Sequence, residues 1–288
     1  MTSTKIQINL NDPNHNIQSC FSHPYGQVLI IDIWNFSIRT SFVICFLLFV
    51  ILLYSTGCQR RLEYDSFDST KLFTLSELYE IKTFRSLDEA LKQPDSVYKL
   101  IIFGKELNRV PDEVYSFKYL NTLELSKNSL KTLPEYIGDM IYLQGLYLAE
   151  NKFSDMPEQV YRLPNLRRLR LGENKFDFMP EKLLEMKSIE EIYFGRNQIW
   201  EIPDRLFDML QLRVLKLDNN NISNLKTSIS KLKNLEVINL KNNKIESIPF
   251  EELISLQKLR TLNLKGNKIP FQVLDSLRKA MPNTKIEY

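Results

Sequence analysis

From Val97 onward, apolar residues return every 23 positions in the pattern LxxLxLxxNxLxxLP, followed by a polar linking stretch. Repeats begin at Val97, Leu120, Leu143, Leu166, Ile189, Leu212, Leu235 and Leu259, so six successive steps are 23 residues and the last is 24. Within the repeat opening at Leu120, the spacing of Leu120, Leu123 and Leu125 predicts a short strand with its leucines turned inward. Asn128 then turns the chain, Leu130, Leu133 and Pro134 open an outer arc, and Ile137 and Met140 complete the apolar set. No single repeat can bury this stripe, so each coil must lean on its neighbours and stability becomes a sum over coil-to-coil interfaces.

Two polar or rigid residues punctuate the period. The turning position holds Asn128, Asn151, Asn174, Asn197, Asn220, Asn243 and Asn267, a structural ladder, because a carboxamide carries donors and an acceptor that can satisfy backbone groups at a bend. Proline recurs at Pro111, Pro134, Pro157, Pro180, Pro203 and Pro249, where its fixed φ and missing N–H suit the start of the convex arc. Lys226 replaces it once, and with the extra residue before Leu259 this marks the last three repeats for a change in curvature. Ser86 and Glu89, at capping-box spacing, predict an N-terminal cap helix within residues 86–96. At the other end, residues 271–288 read as a C-terminal cap, an amphipathic helix over 271–280 followed by a closing edge strand over 284–288.

Phe42 to Tyr54 form an uninterrupted apolar run, preceded by Arg39 and followed by Ser55, Thr56, Gly57 and Cys58. Its length and layout suit a signal-peptide core. A membrane span of roughly 20 residues could also be drawn over Thr40 to Cys58. Arg60 and Arg61 outnumber Arg39, which for a retained anchor would keep the repeats in the cytoplasm. Residues 1–41 are an N-terminal extension and signal n-region, unusually long and polar; a true start near Val28 or Leu29 is one expectation. Residues 42–57 are then the signal or anchor, 58–85 a tether and lead-in, and 97–270 the eight repeats.

Composition narrows the function classes. With 43% apolar and 25% charged residues the chain can bury a sizeable core, and its net charge of +3 makes no electrostatic case for nucleic acid. Cys20, Cys45 and Cys58 are the only cysteines, and His15 and His23 the only histidines. Everything after Cys58 therefore lacks the usual zinc ligands and the commonest general base, which argues against catalysis, and no metal or cofactor is expected.

The repeat pattern resembles that of leucine-rich-repeat proteins throughout residues 97–288. The lead-in before it, and the sequence Ser55-Thr56-Gly57-Cys58, which is similar to a lipobox with Ser55 where leucine is preferred, resemble bacterial leucine-rich-repeat lipoproteins. The resemblance implies an α/β solenoid, a right-handed horseshoe with a parallel concave β-sheet and short helical or 3-10 convex segments, that recognises partners on the concave face. It also implies lipidation of Cys58.

Side chains alternating with the inward leucines form an outward column of Ile101, Glu124, Tyr147, Arg170, Tyr193, Lys216, Asn239 and Asn263. Around Tyr147, Arg170 and Tyr193 fall Arg167, Arg168, Glu190, Glu191, Arg196 and Arg213. Tyr and Arg dominate interface hot spots, so Tyr147, Arg168, Arg170, Glu191, Tyr193 and Arg196 are the candidate partner-binding residues. Ile101 and Phe103 add apolar bulk on the same face, unless the lead-in covers them. The expected partner is a protein, with a glycan as the alternative, and Glu190 and Glu191 interrupt the arginine stripe that nucleic acid would need. The function expected is a membrane-tethered, non-catalytic recognition scaffold of the bacterial cell envelope. Its rival is an intracellular adaptor of small-GTPase or phosphatase signalling, held by an uncleaved anchor.

Overall fold

Only one stretch of each repeat alternates with period two, and that stretch alone becomes a strand. The computed structural model describes residues 68–74 and 76–288, together with the backbone of β1 (Cys20–Ser22) and β2 (Val28–Ile30), which pair antiparallel. The chain divides into two units, residues 1–66 and 67–288. The second carries one open parallel sheet of nine strands in sequential order: β3 (Lys99–Ile101), β4 (Thr122–Glu124), β5 (Gly145–Tyr147), β6 (Arg168–Arg170), β7 (Glu191–Tyr193), β8 (Val214–Lys216), β9 (Val237–Asn239), β10 (Thr261–Asn263) and β11 (Lys285–Glu287). Register is strict, and Leu100, Leu123, Leu146, Leu169, Ile192, Leu215, Ile238 and Leu262 stack as one buried column.

Opposite the sheet, the arc from each repeat proline is a five-residue 3-10 helix, such as Asp112–Ser116 and Glu135–Asp139. The apolar spacing explains the choice: Val114 and Phe117 lie three and six residues after Pro111, which matches three residues per turn. In the 24-residue repeat the buried leucines, Leu253 and Leu256, fall four and seven residues after Pro249, and the segment becomes an α-helix, α3 (Phe250–Ile254). Lys226 takes the place of proline without altering the local path, since Thr227–Lys231 is still 3-10 and Lys226 has an extended backbone; its ammonium reaches Glu201 at 2.7 Å and Asp204 at 3.2 Å.

Coil is joined to coil by the asparagines. Asn197 is typical: its Oδ1 accepts from Phe176 N–H at 3.1 Å, and its Nδ2 donates to Leu171 and Phe194 carbonyls at 3.0 Å each. Asn151, Asn174, Asn220 and Asn243 repeat this arrangement, each serving one carbonyl of its own coil and two backbone groups of the coil before. Asn128 binds the first coil through Lys105 N–H, Leu107 N–H and Ile102 carbonyl, and Asn267 closes the series on Ile245 N–H and Leu240 carbonyl. Immediately before the asparagines, Lys127, Glu150, Glu173, Arg196, Asn219 and Asn242 adopt φ between 53 and 58°, with Gly266 in the last turn. The ladder holds these non-glycine residues in a left-handed conformation they rarely visit.

The N-terminal lead-in is a strap. Residues 68–74 cross the N-terminal ends of the first strands, where Asp68 N–H donates to Tyr142 Oη at 2.9 Å and Asn121 Nδ2 to Lys71 carbonyl at 2.9 Å. Gln144 exchanges two hydrogen bonds with the Phe73 backbone, at 3.0 and 2.9 Å, as a strand partner would. The chain then passes through α1 (Glu77–Glu80), pairs Phe84 beside Leu100, and forms α2 (Leu87–Ala90). The capping box predicted at Ser86 does not form: Ser86 has extended backbone but its side chain makes no capping bond, and the helix is a single turn followed by the 3-10 segment Pro94–Ser96. At the far end α4 (Phe271–Ala280) buries Leu274 and Leu277, and β11 covers the edge of β10.

Leu148 and Asn197 both sit inside this stack, Leu148 fully buried. Leu148→Ala should cost about 2–5 kcal/mol through the cavity it leaves. Asn197→Ala, which strands the Phe176 N–H and removes one of two carboxamide donors from the Leu171 and Phe194 carbonyls, should cost about 1–3 kcal/mol. Chemical denaturation of the two variants measures both, and near-wild-type stability in either would contradict the assigned register.

Candidate binding surface

Three columns of side chains stand on the concave face, each repeating at 23 residues, and their environments differ. Nearest the strand starts run Asn121, Gln144, Arg167, Glu190, Arg213 and Glu236. The amides lie where the strap needs hydrogen bonds, and the charges lie beyond it. Those charges alternate in sign and pair along the sheet, Arg167 to Glu190 at 2.8 Å, Glu190 to Arg213 at 3.6 Å, and Arg213 to Glu236 at 2.8 Å. The hydrogen bond from Arg213 holds the Glu236 carboxyl below the usual range.

The second column contains Arg168 and Glu191, two of the residues expected at the partner surface. They are not open to a partner: Arg168 is 7% exposed and Glu191 8%. They form an ion pair at 3.1 Å, and the ring of Tyr79 from α1 lies 5.4 Å from the Arg168 guanidinium. A non-repeating segment covers a position that repeat symmetry makes outward-facing. Glu191 also accepts a hydrogen bond from Tyr193 Oη at 2.9 Å, so it supports the surface from beneath.

The third column is half-buried and brings Tyr147, Arg170, Tyr193 and Lys216 into one row across β5, β6, β7 and β8. The Arg170 guanidinium lies 4.5 Å from the Tyr147 ring centroid and 4.7 Å from that of Tyr193, and the Lys216 ammonium lies 5.1 Å from Tyr193. Each cation rests on aromatic density, and the row alternates ring and charge. Beside it, Ala149, Gly172 and Gly195 floor an open depression of about 320 Å³, with Arg170, Tyr193, Arg196 and Lys216 among its walls. A Cβ on Gly172 would stand 3.0 Å from the Gly195 carbonyl oxygen, so the floor admits no side chain without movement. Arg196 belongs to the turn rather than the strand; it is exposed and pairs with Glu173 of the preceding turn at 3.6 Å.

Ile101 is half-buried and Phe103 stays 47% exposed, with Lys127 at 5.8 Å from its ring. The sequence allowed the lead-in as a cover for Ile101 and Phe103, whereas in the structure it leaves Phe103 exposed and lies over Arg168; the apolar positions Leu72, Phe73 and Leu78 and the switch from amides to charges in the first column were signals of its course. No group of three or more histidine, cysteine, aspartate or glutamate side chains among the described residues could hold a metal ion. No helix among them is long and apolar enough to cross a membrane. The apolar segment 42–57 and Cys58 lie outside the described residues.

The family described as leucine rich repeat matches residues 164–222 and 210–269. Over these residues the chain carries the repeats of that family. A leucine-rich-repeat protein of Leptospira interrogans is 27% identical with a TM-score of 0.58, covering 67% of this chain and 55% of its own. A plant peptide hormone receptor, RGFR1, solved in complex with RGF2, is 27% identical with a TM-score of 0.51 over 61% of this chain and 29% of its own. This chain thus spans about half the length of the first and under a third of the second. Internalin C2 of Listeria monocytogenes shares the fold at 22% identity and a TM-score of 0.55, over 64% of this chain and 78% of its own. Comparison with curated proteins finds no match.

Burial, the charge of Glu191 and the hydrogen bond to it push the Tyr193 phenol up to about 12, against the opposing charge of Arg170. Because the folded value lies above the unfolded one, this residue's contribution is intact below pH about 10 and is lost as pH rises from about 10 to about 12. Phenolate absorbance of the wild type and Tyr193→Phe should differ by a transition near pH 12. A transition near pH 10 would show that Tyr193 is not held as described.

Proposed function

We propose that this protein is a non-catalytic leucine-rich-repeat recognition scaffold tethered to a membrane of the bacterial cell envelope, with a protein partner held on its concave face. The observation that carries the reading is the Arg170 guanidinium held between Tyr147 and Tyr193 at the edge of an open, glycine-floored depression. Arginine and tyrosine fixed in this way are already ordered before binding, so little side-chain entropy is lost when a partner arrives. The likeness to a peptide hormone receptor solved with RGF2 supports a protein or peptide ligand. A glycan fits less well, since sugars stack on free ring faces and Tyr193 is flanked by both Arg170 and Lys216.

The carboxylates do not suggest chemistry. Glu190 and Glu191 are each engaged by arginine, and no histidine or cysteine follows Cys58 in the chain. Tethering rests on the apolar run Phe42 to Tyr54 and the S-T-G-C sequence ending at Cys58, together with the likeness to a bacterial leucine-rich-repeat protein. Arg60 and Arg61 favour a second reading, an uncleaved anchor with the repeats in the cytoplasm.

Two measurements test the proposal. Arg170→Ala combined with Tyr193→Ala should abolish capture of the cross-linked partner from native cells while leaving the thermal midpoint nearly unchanged; undiminished capture would remove the site from this face. Mass spectrometry of the membrane-extracted protein should find a mature chain beginning at an acylated Cys58. A chain retaining Phe42 to Tyr54 would overturn the lipoprotein assignment.

A further inference from the structure

The concave face separates its cations into two kinds. Arg167, Arg168, Arg196 and Arg213 each have a carboxylate within 3.6 Å. Arg170 and Lys216, in the same sheet, form no ion pair among the described residues, and Arg170 Nε is buried without a hydrogen-bond partner. The nearby acids are engaged elsewhere. Asp218 accepts from Asn239 Nδ2 at 2.9 Å and Asn219 Nδ2 at 2.7 Å, Glu173 faces Arg196, and Glu191 is shared between Arg168 and Tyr193. The depression beside the row is consequently bordered by two cations that form no ion pair among the described residues, with Glu173 and Asp218 also in its wall.

A row of this kind is selective. Guanidinium and ammonium groups resting on rings keep their outer N–H donors and their full charge, while their apolar sides are already shielded from water. Gly172 leaves the floor open, whereas beside Gly195 the Asp218 carboxylate stands 2.7 Å from where a Cβ would lie, so an incoming carboxylate has its place on the row of cations rather than over Gly195. At the row itself a basic ligand would meet the like charges of Arg170 and Lys216. We propose, resting on the scaffold reading above, that this row binds an acidic segment of the partner protein, with carboxylates seated on Arg170 and Lys216 to either side of Tyr193.

The spacing restricts the segment further. Arg170 and Lys216 stand two strands apart, about 10 Å at a strand separation of about 4.8 Å. An extended chain in the polyproline II conformation advances about 3.1 Å per residue and returns to the same face every third residue, so side chains three apart are separated by about 9 Å. Acidic residues at positions i and i+3 of such a segment match the two cations, and the ring of Tyr193 lies between them.

The test uses the full chain in detergent and fluorescence anisotropy with labelled glycine–serine peptides carrying two glutamates three residues apart, or two glutamines or two lysines at the same positions. The glutamate peptide should bind, weaken with ionic strength, and exceed the other two by about tenfold or more. Arg170→Gln and Lys216→Gln should each reduce its binding severalfold with unchanged thermal midpoints, and Arg170→Lys, which keeps the charge, should retain part of it. Equal binding of the glutamine peptide, indifference to both glutamine substitutions, or no binding of the glutamate peptide overturns the proposal. Failure here with partner capture still dependent on Arg170 and Tyr193 leaves the scaffold standing; capture independent of both residues removes the scaffold site itself.

Discussion

A carboxamide placed at one bend in each coil governs this structure. A parallel solenoid satisfies its strand backbones in a sheet, and backbone bonds such as Lys175 N–H to the Phe153 carbonyl continue between bends, but groups such as the Phe176 N–H and the Leu171 carbonyl are left over, and unpaired they would be costly to bury. Asn151, Asn174, Asn197, Asn220 and Asn243 resolve this by serving backbone groups on two coils at once. The bond to the preceding coil is what makes adjacent turns share one register. Strict register in turn lines up Tyr147, Arg170, Tyr193 and Lys216 into a row, so the candidate site is a product of the same ladder that holds the fold.

Side-chain environment on the concave face is set by distance from the strand starts and, in the column nearest them, by whether the strap reaches the coil. Close to them the strap supplies backbone groups and the rings of Phe73 and Tyr79, and the residues below it are amides or a buried ion pair. Farther along, beyond the strap, charges pair with neighbours in the same column. Only past the strand centres do cations rest on rings without acids. Within β6 and the residue before it, Arg167, Arg168 and Arg170 thus carry the same side chain in three electrostatic settings, and only the last forms no ion pair among the described residues.

What repeats was legible in the sequence, and what does not repeat was largely hidden. The strands, the buried leucines and the asparagine bends could be placed from period alone, because equivalent positions meet equivalent neighbours coil after coil. The column Tyr147, Arg170, Tyr193 followed from the same arithmetic. Arg168 and Glu191 could not be assigned correctly in this way, since what buries them is a segment outside the repeats. Ser86 shows the limit of a local motif: its spacing to Glu89 is right, but the chain there is committed to pairing Phe84 beside Leu100 and leaves room for one helical turn only. The extra residue before Leu259 was visible, whereas its effect, exchanging a 3-10 turn for an α-helical one, needed the positions of Leu253 and Leu256 relative to Pro249.

The strap divides the molecule into a part whose length is fixed and a part whose length is free. Through Asp68, Lys71 and Phe73 it grips Asn121, Tyr142 and Gln144, so the first three coils must keep their number and order for these contacts to exist. Tyr79 extends this grip to Arg168 of the fourth coil, and beyond it each described coil touches only its neighbours, so a whole unit of 23 residues could be duplicated or lost in descent without disturbing any distant contact. Such an event would lengthen or shorten the ring-and-cation row by one strand while leaving the strapped end intact. The architecture therefore lets recognition evolve by counting coils at one end while inheritance of the fold is guarded at the other.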